Sequence, residues 1–105
     1  QLMDVLEIDR PYLDPTLTLD KLADSSGISR HHLSYLINKV LNKGFGEFIN
    51  EYRVKHSCQL MDDGFLKKQK MDALAKVSGF NSYTSFYRAF EIYTQMKPLE
   101  SCMME

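Results

Sequence analysis

The sequence predicts an all-α fold of about seven helices, in which two pairs of helices are bridged by one long central helix. Apolar residues recur three and four positions apart through most of the chain, the spacing of a helix that buries one face. No run rich in Val, Ile and Thr alternates with polar residues, so strands are not expected. The helical pattern of residues 19–40 recurs in residues 71–93, which indicates two copies of one unit.

Length and composition favour a single domain over residues 1–105. A chain of 105 residues with 44% hydrophobic and 26% charged residues is typical of a globular domain with a modest core. It contains no apolar run of the roughly 18 residues that span a membrane, and no secretory signal pattern. Two cysteines, Cys58 and Cys102, are therefore expected as reduced thiols in the cytoplasm. Because Gln1 is not a Met, we expect a part of a longer protein.

The charges are unevenly distributed, although the net charge is only −1. Residues 1–27 hold six acidic and two basic side chains, whereas residues 28–98 hold eleven basic and six acidic ones. The near-zero total argues against a uniformly basic nucleic-acid binder. An acidic start followed by a basic body is expected of a surface with one anion-binding side. The alternative explanation of this distribution is an ordinary scatter of charged residues.

The first half of the chain predicts three helices. The first spans about residues 2–9 and ends before a turn that holds two prolines. Thr18 can cap the second helix, which "SSG" at residues 25–27 ends, and Ser29 can cap the third. The second and third helices form a first unit of about residues 18–42.

The second half predicts the long helix and a second unit. The long helix covers about residues 46–62, between two glycine-containing turns. A basic connector, residues 65–70, leads to a short helix, a second glycine turn and a longer helix within "SGFNSYTSFYRAF", residues 78–90. The two helices form a unit of about residues 71–93, and a final helical turn is expected after Pro98.

Both units show the helix-turn-helix pattern of short helix, glycine turn and second helix. A small Ala lets the two helices approach, Gly permits a positive φ in the turn, and Ser caps the second helix. One copy is weak evidence, but two in tandem and in phase are much more specific. The matched residues, 52 or 53 positions apart, are Leu22-Ala23 with Leu74-Ala75, Gly27-Ile28 with Gly79-Phe80, Ser29 with Ser82, and Leu33 with Phe86.

These residues resemble the DNA-binding domain of AraC/XylS-type transcription regulators. The similar stretches cover about residues 17–98 and include "LTLDKLADSSGISRHHLSYLINKV", "FINEYRV", "GFNSYTSFYRAF" and "MKP". The resemblance implies two helix-turn-helix units that read two successive major-groove segments of double-stranded DNA. "FINEYRV" corresponds to the family's bridging helix, with Arg53 at its usual arginine.

The chain departs from the family pattern in a few places. Gln95 stands where the family usually has Gly, so the turn after the last recognition helix is expected to differ. Lys70 stands where a Ser or Thr cap is common, and Ser57 replaces a usual small Ala. The opening "PYLDPTLTL" resembles a variant at the C-terminal end of membrane-bound hybrid sensors. This predicts a cytoplasmic end of such a sensor, with no membrane contact of its own.

A helical projection predicts one outward polar face on the second helix of each unit. With Leu33 and Phe86 facing inward, Val40 and Tyr93 fall on the apolar faces. The outward side chains can hydrogen-bond base edges and phosphate oxygens, and Arg88 is the best candidate for a bidentate contact with guanine. These predicted DNA-binding residues are Arg30, His31, Ser34, Tyr35, Tyr83, Thr84, Tyr87 and Arg88.

Other residues leave alternatives open. Arg53 suits an ion pair with Glu47 or Glu51 as well as it suits DNA, and tyrosines such as Tyr83 and Tyr87 are often partly buried packing residues. Several lysines are candidate phosphate contacts, although most exposed lysines are simply solvated: Lys39, Lys43, Lys55, Lys67, Lys68 and Lys70.

The sequence thus favours a sequence-specific DNA-binding domain of a transcription regulator, with a sensory or dimerisation domain expected N-terminal to it. The alternative is a helical protein-interaction module that keeps the fold without strong DNA binding. A catalytic or histidine-phosphotransfer role is disfavoured, because no nucleophile–base pair is visible and His31 and His32 lie in a helix-turn-helix. We expect no enzyme activity, no cofactor and no metal, since the histidines lack metal-ligand spacing.

Overall fold

The computed structural model describes residues 2–103, with side chains for residues 2–100. Over that range the regular secondary structure is entirely helical, with two helix-turn-helix units bridged by one long helix. This confirms the predicted all-α fold class. The Cys102 side chain lies outside the described residues. The helices are α1 (Leu2–Ile8), α2 (Leu19–Ser26), α3 (Arg30–Tyr35), α4 (Phe45–Asp62), α5 (Met71–Val77), α6 (Tyr83–Thr94) and α7 (Pro98–Met103). Two 3-10 turns, Pro11–Leu13 and Phe65–Lys67, and a π-helical turn, Leu36–Val40, complete the architecture.

Local capping explains where the helices of the first unit begin and end. The Thr18 hydroxyl accepts a hydrogen bond from the Lys21 amide at 3.2 Å and starts α2. Gly27, with φ of 71°, ends α2 in a left-handed conformation that glycine adopts without steric cost. The Ser29 hydroxyl then accepts from the His32 amide at 3.1 Å and starts α3.

The second unit repeats this arrangement, and two departures from the family pattern become visible in it. The Ser82 hydroxyl accepts from the Ser85 amide at 3.2 Å and starts α6. Lys70 precedes α5 without a side-chain cap. Gln95, after α6, adopts the left-handed conformation with φ of 59°. A residue with a Cβ is strained there by roughly 1 kcal/mol or more.

The hydrophobic residues form two separate clusters that share the helix α4. The first cluster joins α1, α2, α3 and the start of α4, where Phe48 and Ile49 are buried. The second joins the rest of α4, including Val54 and Met61, to α5 and α6. The described chain measures 42 × 23 × 21 Å. The elongation follows from placing two small cores in sequence along one helix.

The π-helical turn corrects the predicted position of Val40. The Leu41 amide donates to the Leu36 carbonyl, five residues earlier, at 2.9 Å. This wider turn holds more residues than an α-helical turn, so the following side chains point in new directions. Val40 is 59% exposed, contrary to the projection, and Leu41 packs against the first cluster instead.

Candidate nucleic-acid interface

The second helix of each unit presents a polar face above a buried apolar residue. Leu33 in α3 and Phe86 in α6 are 0% exposed, as the projection predicts. Of the eight predicted binding residues, six are exposed, whereas Ser34 and Tyr87 are half-buried. The structure therefore places all eight on outward or border positions of two matching helices.

The two tyrosines of α6 lie at the edge of the core and not within it. The Tyr83 ring is centred 6.1 Å from the Phe86 ring and 6.0 Å from the Tyr87 ring. Both distances fall in the range of favourable tilted aromatic pairs. Tyr83 remains 37% exposed. These contacts orient the phenol groups before any ligand binds, beside the exposed Thr84 and Arg88.

The polar face of α3 differs from that of α6 in two contacts within the chain. Arg30 Nε lies 2.6 Å from Asp20 Oδ1, and the two side chains are 66% and 71% exposed. An ion pair this exposed contributes little, so Arg30 can exchange its carboxylate partner for a phosphate at small cost. Asn38 Nδ2 donates to Ser34 Oγ at 3.1 Å.

Asn38 is a candidate that the sequence reasoning missed. It is exposed and lies one turn after Ser34 on the same face. Together with His31, Tyr35 and Lys39 these residues line a shallow depression of about 210 Å³. An Asn amide held by a neighbouring hydroxyl is suited to bidentate contact with adenine. The four-residue spacing from Ser34 was the signal that could have found it.

The candidate phosphate-binding lysines divide into two groups. Lys43 Nζ lies 2.9 Å from Glu51 Oε1, and Lys55 Nζ lies 3.6 Å from Glu51 Oε2. The hydrogen bond between Lys43 and Glu51 raises the pKa of the lysine and lowers the pKa of the carboxyl group. The second group is exposed: Lys39 lies in the π-helical turn after α3, and Lys67, Lys68 and Lys70 lie along the connector.

Arg53 does not form the ion pair with Glu47 or Glu51 that the sequence left open. Its Nε donates to the Tyr12 carbonyl at 2.6 Å, and its Nη2 donates to the Asp14 carbonyl at 2.9 Å. The two predicted acidic partners have other contacts: Glu47 Oε1 accepts from the Gly44 amide, and Glu51 pairs with lysines. Arg53 is therefore half-buried against backbone carbonyls. Because these partners are main-chain groups, no pattern of side chains in the sequence predicts the contact.

No other kind of site stands out in the part of the chain that the structure describes. Within residues 2–100, no three His, Cys, Asp or Glu side chains group closely enough to hold a metal ion. His56 packs edge-on against the Tyr12 ring, 6.3 Å between centroids, and burial lowers the pKa of its imidazole. No described helix is both long and apolar enough to cross a membrane.

Comparison with known proteins gives a family match. A family model described as "Helix-turn-helix domain" matches residues 22–101, which is more than half of the chain. The chain is 31% identical over 98 residues to an uncharacterised HTH-type transcriptional regulator of Staphylococcus aureus (strain COL). It is also 31% identical over 100 residues to the uncharacterised HTH-type transcriptional regulator YijO of Escherichia coli (strain K12).

These relatives are much longer than the chain. The match covers 93% of the chain but only 12% of the Staphylococcus aureus protein. For YijO it covers 91% of the chain and 34% of the relative. The chain thus corresponds to one segment of longer proteins, and it spans about a third or less of the length of these relatives.

Solved structures show the same fold. The C-terminal domain of the two-component response regulator yesN from Fusobacterium nucleatum matches 96% of this chain and 93% of its own, with a TM-score of 0.74 at 22% identity. The C-terminal domain of AraT, a response regulator from Geobacillus stearothermophilus, matches 99% of this chain and 84% of its own, with a TM-score of 0.77 at 18% identity. At these identities the likeness establishes the arrangement of helices.

Proposed function

Because the chain belongs to the AraC-type family of helix-turn-helix domains, we propose that α3 and α6 bind two successive major-groove segments of double-stranded DNA. The chain is a DNA-binding domain of a transcription regulator. The same proposal assigns two units and a linker helix to one domain of residues 1–105. The units cover about residues 18–42 and 71–93, and the linker helix covers about residues 46–62.

The observation that carries the proposal is the matched pair of polar faces. Two helices, each started by a serine cap and seated on a fully buried apolar residue, present hydroxyl, imidazole and guanidinium groups outward. Such groups hydrogen-bond base edges and phosphates. The proposed DNA contacts are Arg30, His31, Ser34, Tyr35, Tyr83, Thr84, Tyr87 and Arg88, to which the structure adds Asn38.

The dimensions of the domain support binding along one side of a duplex. Successive major-groove segments on one side of B-DNA lie roughly 34 Å apart. The described chain extends over 42 Å in its longest direction, and its two clusters follow one another along α4. The alternative of a protein-interaction module without DNA affinity is not favoured by the family match or by the relatives' description as transcriptional regulators.

The rest of the protein is also a matter of proposal. The relatives are several times longer than the matched segment, which supports a further sensory or dimerisation domain N-terminal to this chain. A cytoplasmic site of action and a place in a two-component pathway belong to the same proposal. The descriptions of the relatives and solved structures named above do not support the predicted membrane-bound sensor. The expected lack of enzyme activity and cofactor rests on the family's shared role in DNA binding.

The proposal is tested by selecting bound duplexes from a random pool and titrating the best binder with salt. We expect enrichment of a motif with two elements about one helical turn apart. Its affinity should fall steeply as salt rises, because each neutralised phosphate releases counterions and contributes about −0.9 to the slope of log K against log salt. A pool that shows neither an enriched motif nor salt-sensitive binding would contradict the proposal.

A further inference from the structure

A polar junction separates the two hydrophobic clusters, and we propose that Arg53 at this junction sets the orientation of the two recognition helices relative to each other. The inference rests on the proposed binding of two groove segments. Arg53 is a positioning residue here: its hydrogen bonds go to protein groups, and it acts on DNA only through α3 and α6.

Arg53 connects three segments of the chain. It lies on α4 between Ile49, which belongs to the first cluster, and Val54, which belongs to the second. Its guanidinium group donates to the carbonyl of Tyr12, whose ring is part of the first cluster. The same guanidinium lies 5.8 Å from the ring centroid of Phe80, which is part of the second cluster. One side chain therefore touches both halves of the molecule.

The turn of the second unit packs directly against the same carbonyl. A Cβ added at Gly79 would lie 2.3 Å from the Tyr12 oxygen, 3.0 Å from Arg53 Nε and 3.0 Å from Leu13 Cα. The first distance is well inside the contact limit, so only glycine fits at this point. The 3-10 turn that follows α1 thus meets both Arg53 and the turn between α5 and α6 at the Tyr12 carbonyl.

The planar guanidinium suits this task because it donates in two directions at fixed angles. A second tether, from the Tyr93 hydroxyl to the Glu47 carbonyl, holds α6 to the start of α4. A rotation of about 10° between units roughly 34 Å apart moves one recognition helix sideways by about 6 Å, about half the roughly 12 Å width of a major groove. Because the groove winds around the duplex, such a sideways shift changes the base-pair spacing at which both units can bind together.

The test compares Arg53→Gln with the wild-type chain in the selection from a random duplex pool. We expect the wild type to enrich two motif elements at one fixed spacing. Arg53→Gln should enrich the same two elements at several spacings that differ by one or two base pairs. Lys97→Gln is the matched control, because Lys97 is exposed, carries the same charge and lies outside both hydrophobic clusters. It should keep the wild-type spacing.

A second measurement needs no DNA. Spin labels at the exposed positions Asp24 in α2 and Glu91 in α6, with the native cysteines replaced by Ser, report the distance between the units. We expect a narrow distribution in the wild type and a broader or shifted one in Arg53→Gln. If that variant does not fold, Arg53→Lys decides in its place, since an ammonium group keeps the charge but cannot match the fork of donors.

The outcomes separate the two proposals. Unchanged spacing and unchanged distances in the Arg53 variant that folds would overturn the inference and leave the DNA-binding proposal intact. If the wild-type chain enriches no motif, the DNA-binding proposal is contradicted. The spacing between motif elements then gives no information about Arg53. The distance measurement would then still show whether Arg53 orients the two units.

Discussion

At the scale of single residues, two arginines on matching helices have different surroundings. Arg88 in α6 is exposed beside Thr84, whereas Arg30 in α3 pairs with Asp20 at 2.6 Å. The two units are therefore not equivalent, although their sequences align. The projection from the sequence predicted both arginines as outward-facing, and the acidic neighbour of one of them became visible only in the structure.

Arg88→Ala tests direct readout of a base. We expect the affinity for selected sites to weaken by about 1–3 kcal/mol, while binding to random duplexes weakens much less, because a bidentate contact with guanine is specific. Fluorescence anisotropy on both kinds of duplex measures this, with Lys97→Ala as a control on an exposed charge after α6. Equal losses on both duplexes would identify Arg88 as a phosphate contact.

Asp20→Asn tests whether the ion pair with Asp20 weakens the binding of Arg30 to DNA. Removing the carboxylate releases the guanidinium and removes a negative charge near the N-terminal end of α3. We expect DNA binding to tighten about two- to fivefold at low salt and the gain to shrink as salt screens it. Asp24→Asn, at an exposed position on the same helix, is the control. A gain in Asp20→Asn that persists in the Arg30→Ala background would mean that the pair is not the cause.

At the scale of elements, helix ends account for most of the agreement between sequence and structure. The serine caps at Ser29 and Ser82 start α3 and α6, and both glycine turns have positive φ. These features depend on residues within three or four positions of each other, so the sequence reveals them. The end of α3 differs, because a π-helical turn that the apolar pattern did not predict exposes Val40.

Gln95→Gly tests the strained end of α6. Glycine adopts a φ of 59° without the steric cost that Gln95 bears there. We expect the free energy of unfolding to rise by about 1 kcal/mol, less the entropy that glycine adds to the unfolded chain. Urea denaturation measures the change, and Gln95→Ala should give no such gain. A destabilised glycine variant would mean that contacts of the Gln95 side chain outweigh its backbone strain.

At the scale of the whole molecule, two cores share one helix and meet at a polar junction. The helix α1, outside both helix-turn-helix units, supplies Leu2 and Leu6 to the first core. Arg53 and Gly79 then hold the following turn against the second unit. The N-terminal segment is therefore part of the structure that positions the recognition helices.

Leu6→Ala tests the separateness of the cores. Leu6 is 0% exposed, so the cavity should cost about 2–5 kcal/mol. Hydrogen exchange should accelerate more in α2 and α3 than in α5 and α6, because the deleted side chain belongs to the first cluster. Ile8→Ala, at a position 77% exposed, should leave exchange almost unchanged. Equal acceleration in both units would show that they unfold as one.

The sequence by itself determined the helical class, the repeated unit, the caps and turns, and the outward residues of the first turns of α3 and α6. Helix periodicity and capping act over a few residues, and two copies of a unit reinforce each other. Only the tertiary structure decided the partners of Arg53, which lie 41 and 39 positions earlier in the chain. Those partners are backbone carbonyls, and every residue has one, so no residue type marks them in advance. Asp20 beside Arg30 and the exposed Val40 likewise depend on how the helices pack and end.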